Sequence, residues 1–195
     1  MSTSTIFEFH AVKGGAGCTT VTVGAAFAHA DATGRPVHVV SADRDALTVI
    51  GAPQCEGATV GLVTVHPVDP GHVPVAASEL ADEGPVFVDA GTAGPLGGYY
   101  AGREVVTVLV VRNCYLHLRR AAGVSYLRPD RAVLVREAGR ALGVRDVSNV
   151  IGVQPVVVDV SEGVARAIDA GLFGLRRPRE FDRALAQVTP APAVA

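Results

Sequence analysis

Lysine is almost missing from this chain: sixteen of its seventeen basic residues are arginine and one, Lys13, is lysine. Cysteine is scarce too. Cys18, Cys55 and Cys114 stand too far apart for a disulfide framework or a metal-ligand pattern. No apolar run reaches the ~18–20 residues that a membrane span requires. The start, Met-Ser-Thr-Ser-Thr, lacks the basic residues and apolar stretch of a secretory signal, so the cytoplasm is the expected compartment. Charged residues form 18% of the chain against 49% apolar, a balance that excludes a disordered polymer. With 195 residues and no internal repeat, one domain over residues 1–188 is expected, followed by a disordered Pro/Ala tail at 189–195.

The net charge of −2 hides an uneven spread. Residues 1–100 carry three basic and ten acidic side chains; residues 101–195 carry fourteen and nine. Such asymmetry fits an anionic partner such as nucleic acid on one face, or an Arg-rich solvated surface.

What is abundant is glycine in one early stretch. Ile6 to Val12 alternates apolar and polar residues and reads as a strand. Val21 to Ala32 reads as a helix. Between them stands Lys13-Gly14-Gly15-Ala16-Gly17-Cys18-Thr19-Thr20. Strand, Gly-rich turn, helix is the setting of a phosphate-binding loop, in which backbone N–H groups and a helix N-terminus face the anion. The usual form, G-x-x-x-x-G-K-[ST], places a lysine just before the hydroxyl residue. Here Cys18 holds that position.

Downstream, Val37 to Val40 reads as a strand ending in Ser41-Ala42-Asp43-Arg44-Asp45. Carboxylates there sit where open α/β sheets bind ligands, or they form a solvated turn with a helix cap. Within the Gly- and Pro-rich stretch 51–84, Val60 to Val65 reads as a strand and Val75 to Ala81 as a short helix. Pro85 to Asp89 is a buried strand ending in a carboxylate, the Walker B pattern, and Ala90 to Pro95 reads as a mobile switch loop. Val105 to Val111 has no alternation, as suits a central parallel strand covered on both faces. Strands at Ala132–Val135 and Val153–Val158 alternate with helices at Tyr115–Ala122, Asp146–Ile151, Val164–Gly171 and Arg179–Val188. The alternation predicts a mostly parallel sheet with helices on both faces; with the Gly-rich loop between the first strand and helix, the expected fold is a P-loop NTPase-like α/β fold.

Lys13 to Thr20 resembles the deviant Walker A motif, K-G-G-x-G-K-T-[TS], of the ParA/MinD family of partition and positioning ATPases, at seven of eight positions. The order of P-loop, Asp43 region, Asp89 strand, Val105 strand and the run Val164 to Leu172 extends the resemblance over nearly the whole chain. The resemblance implies ATP or ADP with Mg²⁺ as cofactor, the phosphates held by Gly14, Gly15, Ala16, Gly17, Cys18, Thr19 and Thr20, and the metal by Thr19 and Asp89. It makes Lys13 the signature lysine that reaches a partner's nucleotide across a dimer. Asp43 belongs to the switch carboxylates, paired with Ser41 in one alignment and with Asp45 in another. It further implies a homodimer or a heterodimer with a ParA-like relative, a ParB-like adaptor, and non-specific DNA bound through Arg166, Arg176, Arg177, Arg179 and Arg183. The tail from Thr189 to Ala195 has no basic amphipathic face, so DNA, with a nucleoid-associated location, is expected rather than membrane.

Three departures stand out. Ser41 occupies the first switch position, Arg136-Glu137 stands where the family has an asparagine that reads adenine, and Cys18 supplies no cation where a P-loop lysine would bridge phosphates. A helix N-terminus can lower a cysteine pKa, and a thiolate would repel phosphate. Three functions stay open: a ParA/MinD-like positioning protein with weak or lost hydrolysis; a non-catalytic, dimerising partner of an active relative; and a redox-responsive regulator using Cys18.

Overall fold

The computed structural model describes residues 4–53, 56–100, 102–124 and 128–190. Strands and helices alternate through most of the chain: β1 (Ile6–Ala11), α1 (Cys18–Thr33), β2 (Val37–Ser41), α2 (Asp45–Ile50), β3 (Ala58–Val60), β4 (Val63–Pro67), α3 (Val73–Leu80), β5 (Val86–Asp89), β6 (Val105–Arg112), α4 (Tyr115–Gly123), β7 (Arg131–Arg136), α5 (Val144–Ile151), β8 (Val156–Asp159), α6 (Glu162–Asp169) and α7 (Arg179–Leu185). The sheet runs β3-β4-β2-β5-β1-β6-β7-β8. Every neighbouring pair is parallel except β3 with β4. The expected mostly parallel α/β sheet is therefore observed.

Both faces of the central strands are covered and most of their residues are apolar; in β1, Glu8 and His10 are buried on the face shared with Ile6. Phe7 and Phe9 of β1 face a core built with α1, α2, α6 and α7. Ile6, on the other side, joins a core with Val73 and Ala77 of α3, while Leu109 and Val111 of β6 pack with Leu118 of α4 and Val147 of α5. Helix α1 shows no polar stripe over Val21 to Ala30, all of which are buried. It lies between the sheet and α7, so it has no wet face to mark. The approach of α7 is close: a Cβ at Gly24 would meet Phe181 at 2.4 Å and Leu185 at 2.8 Å.

The turn with a helix cap that the Asp43–Asp45 stretch allowed opens a short helix, α2, at Asp45. Two expectations need correction. Val60 to Val65 is not one strand but the turn of an antiparallel hairpin, β3 and β4, reversed at Gly61 and Leu62. Thr189, placed in the tail by its sequence, is 1% exposed, and its carbonyl lies 3.0 Å from His29 Nδ1. The tail residues 191–195 lie outside the described residues. Among the described residues no helix is long and apolar enough to cross a membrane.

Candidate functional site: a phosphate cradle without its cation

The loop between β1 and α1 carries the Gly-rich motif. Gly17 caps α1 in the left-handed region at φ 86°, and Gly15 shares that region at φ 78°. Side chains with a Cβ resist this backbone, which turns successive N–H groups toward one side. A Cβ on Gly14 or Gly15 would meet no heavy atom within 4 Å, so the loop opens onto free space. That space is a cavity of about 370 Å³ lined by Lys13 to Thr20, with Asp45, Gly91 and Thr92 along its edge. The side chain of Lys13 reaches the Gly14 carbonyl at 3.3 Å.

Cys18 is the first residue of α1 and is 8% exposed. Its thiol bonds to the carboxylate of Asp89, which ends β5 and also accepts from the Thr19 hydroxyl and, at 3.1 Å, from the Gly91 N–H. Burial, reinforced by the Asp89 charge, pushes the Cys18 thiol well up. The thiolate that a helix N-terminus can favour does not form here; the position is neutral and buried, the setting of an inert cysteine. Burial also raises the Asp89 carboxyl, against the bonds from Thr19, Cys18 and Gly91 that lower it.

Ser41 and Asp89 are register partners on β2 and β5, so the switch stretch lies beside the Walker B carboxylate. The Ser41 hydroxyl donates to Asp43 at 3.2 Å, and Asp43 accepts the Asp45 N–H at 2.9 Å. Asp43 thus caps the start of α2 while its charge is felt at Asp89.

A second cavity, about 250 Å³, adjoins the loop at Gly15 and Gly17 and is walled by Val21, Val135, Val158, Val164, Ile168 and Phe181. Its mouth holds charges that pair with one another. Arg112 donates to the Gly15 carbonyl at 3.1 Å and forms an ion pair with Glu137, which also holds Arg140 at 2.6 Å. Arg136 makes two bonds to Asp159, at 2.6 and 2.8 Å. Asn113 pins this corner, accepting the Glu137 N–H at 2.8 Å and donating to the Glu137 carbonyl at 3.0 Å.

A nucleotide fits these parts in shape: a backbone cradle for phosphates, a hydroxyl–carboxylate pair for a magnesium ion, and an apolar slot for a flat base. It does not fit in charge, because no side-chain cation stands where the P-loop lysine would. Sequence comparison finds no matching protein family and no matching curated protein. Comparison of structures is decisive for the fold. MinD from Aquifex aeolicus superposes with a TM-score of 0.72 at 16% identity, over 98% of this chain and 100% of that one. MinD from Pyrococcus horikoshii, solved with Mg-ADP, gives 0.71 at 17% identity over 96% of each chain. A ParA family ATPase from Chlorobium tepidum gives 0.63 at 15% identity, over 98% of this chain and 94% of that one. The fold is that of the ParA and MinD ATPases.

On this ParA/MinD fold, the basic residues singled out near the C-terminus divide. Arg176, Arg179 and Arg183 are exposed, and Arg166 is exposed beside Glu162 at 3.5 Å. Arg177 is not available to a ligand. Its side chain is 8% exposed, bonds Asp31 at 2.7 Å and Asp182 at 2.8 Å, and lies 4.2 Å over the Phe27 ring. It ties the α7 segment to α1. Glu137, singled out in the sequence beside Arg136, braces this corner together with Arg112 and Asn113, which the sequence did not single out; a charged residue closing a largely apolar strand was the available signal for Arg112.

Proposed function

We propose that this chain is a ParA/MinD-type positioning protein that binds nucleoside triphosphate weakly and hydrolyses it poorly or not at all. One observation carries the reading: the phosphate cradle keeps its backbone form while the position of its cation holds a neutral thiol bonded to Asp89. The N–H groups of Gly14 to Thr20 would hold phosphates, Thr19 and Asp89 a magnesium ion, and the slot beside Val135 and Val158 the base. Bound magnesium would neutralise phosphate charge. The chain's own residues offer little else for hydrolysis, since Ser41 replaces a switch carboxylate and Asp43 is engaged in capping α2.

Lys13 supports action across an interface. No acidic side chain among the described residues is seen to pair with its Nζ, which touches only a carbonyl of its own loop. In this reading it completes the site of a second copy or of an active relative. Non-specific DNA, contacted through Arg166, Arg176, Arg179 and Arg183, is the proposed surface, with a ParB-like adaptor and a nucleoid-associated location following from it. The sheet order supports the DNA reading by setting strands β2 to β5, from the acid-rich half, on one side of β1, and β6 to β8, from the basic half, on the other.

The test is titration of a fluorescent ATP analogue, with and without magnesium, into wild type and Cys18→Lys. A charge-assisted bond to phosphate contributes about 1.5–3 kcal/mol, so the variant should bind on the order of 10–100-fold more tightly. Turnover should rise less than affinity. Robust magnesium-dependent hydrolysis by the wild type would refute the reading.

A further inference from the structure

The edge of the sheet opposite the phosphate cradle holds a cavity of its own. It measures about 420 Å³ and lies where β1, β5, β6 and β7 begin and α1 ends. Thr5, Pro85, Glu104 and Arg131 line it at the strand starts, and His29 and Arg35 at the close of α1 and the turn after it. The cradle sits at the other end of α1, and the two cavities share no lining residue.

His29 is the buried polar group of this cavity, 3% exposed. Its Nδ1 stands 3.0 Å from the Thr189 carbonyl. A carbonyl only accepts, so Nδ1 carries the hydrogen, and Nε2 of the uncharged ring is an acceptor. Unlike the sealed nitrogens of His10, Nε2 opens onto the cavity, with no partner among the described residues. It calls for a donor from outside the chain.

The cavity also carries guanidinium donors in excess. Arg35 is exposed, and no carboxylate among the described residues pairs with its side chain. Arg131 is partly buried over the Phe7 ring, 5.9 Å from its centroid, and gives one of its five N–H groups to the Val188 carbonyl. Glu104 lines the same space but bonds the Thr5 hydroxyl, at 3.3 Å, rather than either arginine. Phe7 and Val106 supply apolar wall beside these charges. Planar guanidinium donors match a carboxylate, and a few placed polar groups on apolar wall are the make-up of a small-molecule site.

We propose that this cavity binds a small carboxylic acid bearing a hydrogen-bond donor on its α-carbon, an α-hydroxy or α-amino acid with an apolar side chain. The carboxylate takes the donors of Arg35 and Arg131. The α-hydroxyl or ammonium donates to His29 Nε2, with Glu104 at hand for the ammonium. The apolar side chain lies along Phe7 and Val106. The site stands apart from the cradle, and the proposal does not rest on nucleotide binding.

The experiment titrates the full chain, free of nucleotide, with 3-phenylpropionate, 3-phenyllactate and phenylalanine, read by calorimetry. The three share a carboxylate and a ring and differ only in the α-substituent: hydrogen, hydroxyl or ammonium. Phenyllactate or phenylalanine should bind with a Kd on the order of 1 mM or tighter. That ligand should bind about tenfold more tightly than phenylpropionate, which offers nothing to Nε2. A lead for phenylalanine assigns the α-amino acid, with Glu104 taking the ammonium; a lead for phenyllactate assigns the α-hydroxy acid. Arg35→Gln, on the surface, should weaken the tighter ligand about tenfold. His29→Asn, whose amide still reaches toward the Thr189 carbonyl, should bring that ligand down to the level of phenylpropionate, a loss of preference that general loosening would not produce. No binding by any of the three at about 10 mM, equal affinities in the wild type, or binding unchanged in Arg35→Gln would each overturn the proposal. Those outcomes stand even if His29→Asn fails to fold. A folded His29→Asn that keeps the preference would overturn it as well.

Discussion

His10 offers a prediction whose size follows from the structure. It lies on β1, 1% exposed, with both ring nitrogens buried and without hydrogen bonds. Burial alone lowers its pKa from 6.5 to about 4. An unfolded chain takes up a proton at His10 near pH 6.5, and the folded chain does not until about pH 4. The stability tied to this residue is therefore fully present above pH 6.5, declines as the pH falls, and is gone below about 4. At ~1.4 kcal/mol per pH unit, that interval amounts to about 3 kcal/mol. Other groups also titrate there. His38, His66 and His117 have lowered pKa values and act in the same direction, while Glu8, raised by burial, acts in the opposite one. A difference measurement isolates His10. Urea unfolding of wild type and His10→Leu at steps from pH 7.5 to 4 should give curves that diverge, with the variant losing about 3 kcal/mol less over the range. At pH 7 the variant should already be more stable by about 1 kcal/mol, because it removes unpaired buried polar atoms. Parallel losses in the two proteins would refute the assignment of a buried, neutral His10.

Changing Arg176, Arg179 and Arg183 together to alanine should leave stability nearly unchanged and abolish low-salt binding to unrelated DNA duplexes, read by fluorescence anisotropy across a salt series. Arg177→Ala should do the reverse, costing about 3 kcal/mol in urea unfolding because it strands Asp182 in a half-buried place, with little direct effect on DNA contact. Gly24→Ala should cost about 1–3 kcal/mol by driving α7 off α1, visible as a lower Tm. Glu137→Gln should release the Arg112 guanidinium toward the loop and tighten binding of the ATP analogue several-fold; unchanged affinity would show that Arg112 serves only to brace Gly15.

The fold was legible because its signals are redundant. Largely apolar strands such as Val105 to Val111, where only Thr107 is polar, need cover on both faces, and a Gly-rich turn before a long apolar helix has few other settings. What escaped was local or long-range. The six residues of α2 are too few to show a period, and its start is fixed by the Asp43 side chain, which the sequence shows equally as a switch carboxylate. The β3–β4 reversal is set by two residues inside what reads as one apolar run. Arg176 and Arg177 are adjacent and chemically identical in the sequence. Only the packing of α7 on α1 brings Asp31, 146 positions away, to one of them and leaves the other in water. Cys18 shows the same limit. Its position at a helix N-terminus suggested a lowered pKa, but the carboxylate that reverses the sign comes from β5.

The cradle can persist without its lysine because it is made of backbone. Two glycines set its shape, and Asp89 holds the ends of β5 and α1 together through donors from Cys18, Thr19 and Gly91. Losing the cation lowers the attraction for phosphate but removes none of the contacts that fold the loop. The same division runs through α6 and α7. Their inner residues, Val164, Ile168 and Phe181, wall the slot beside the loop, while Arg166, Arg179 and Arg183 lie exposed on the same two helices. In the proposed function, a base seated in that slot would press on both helices from beneath and steady the arginines above it. Nucleotide could then govern the DNA surface by occupancy alone, with no bond broken. A chain that kept the slot, the glycines and Lys13 but lost the P-loop lysine would retain that coupling while giving up turnover.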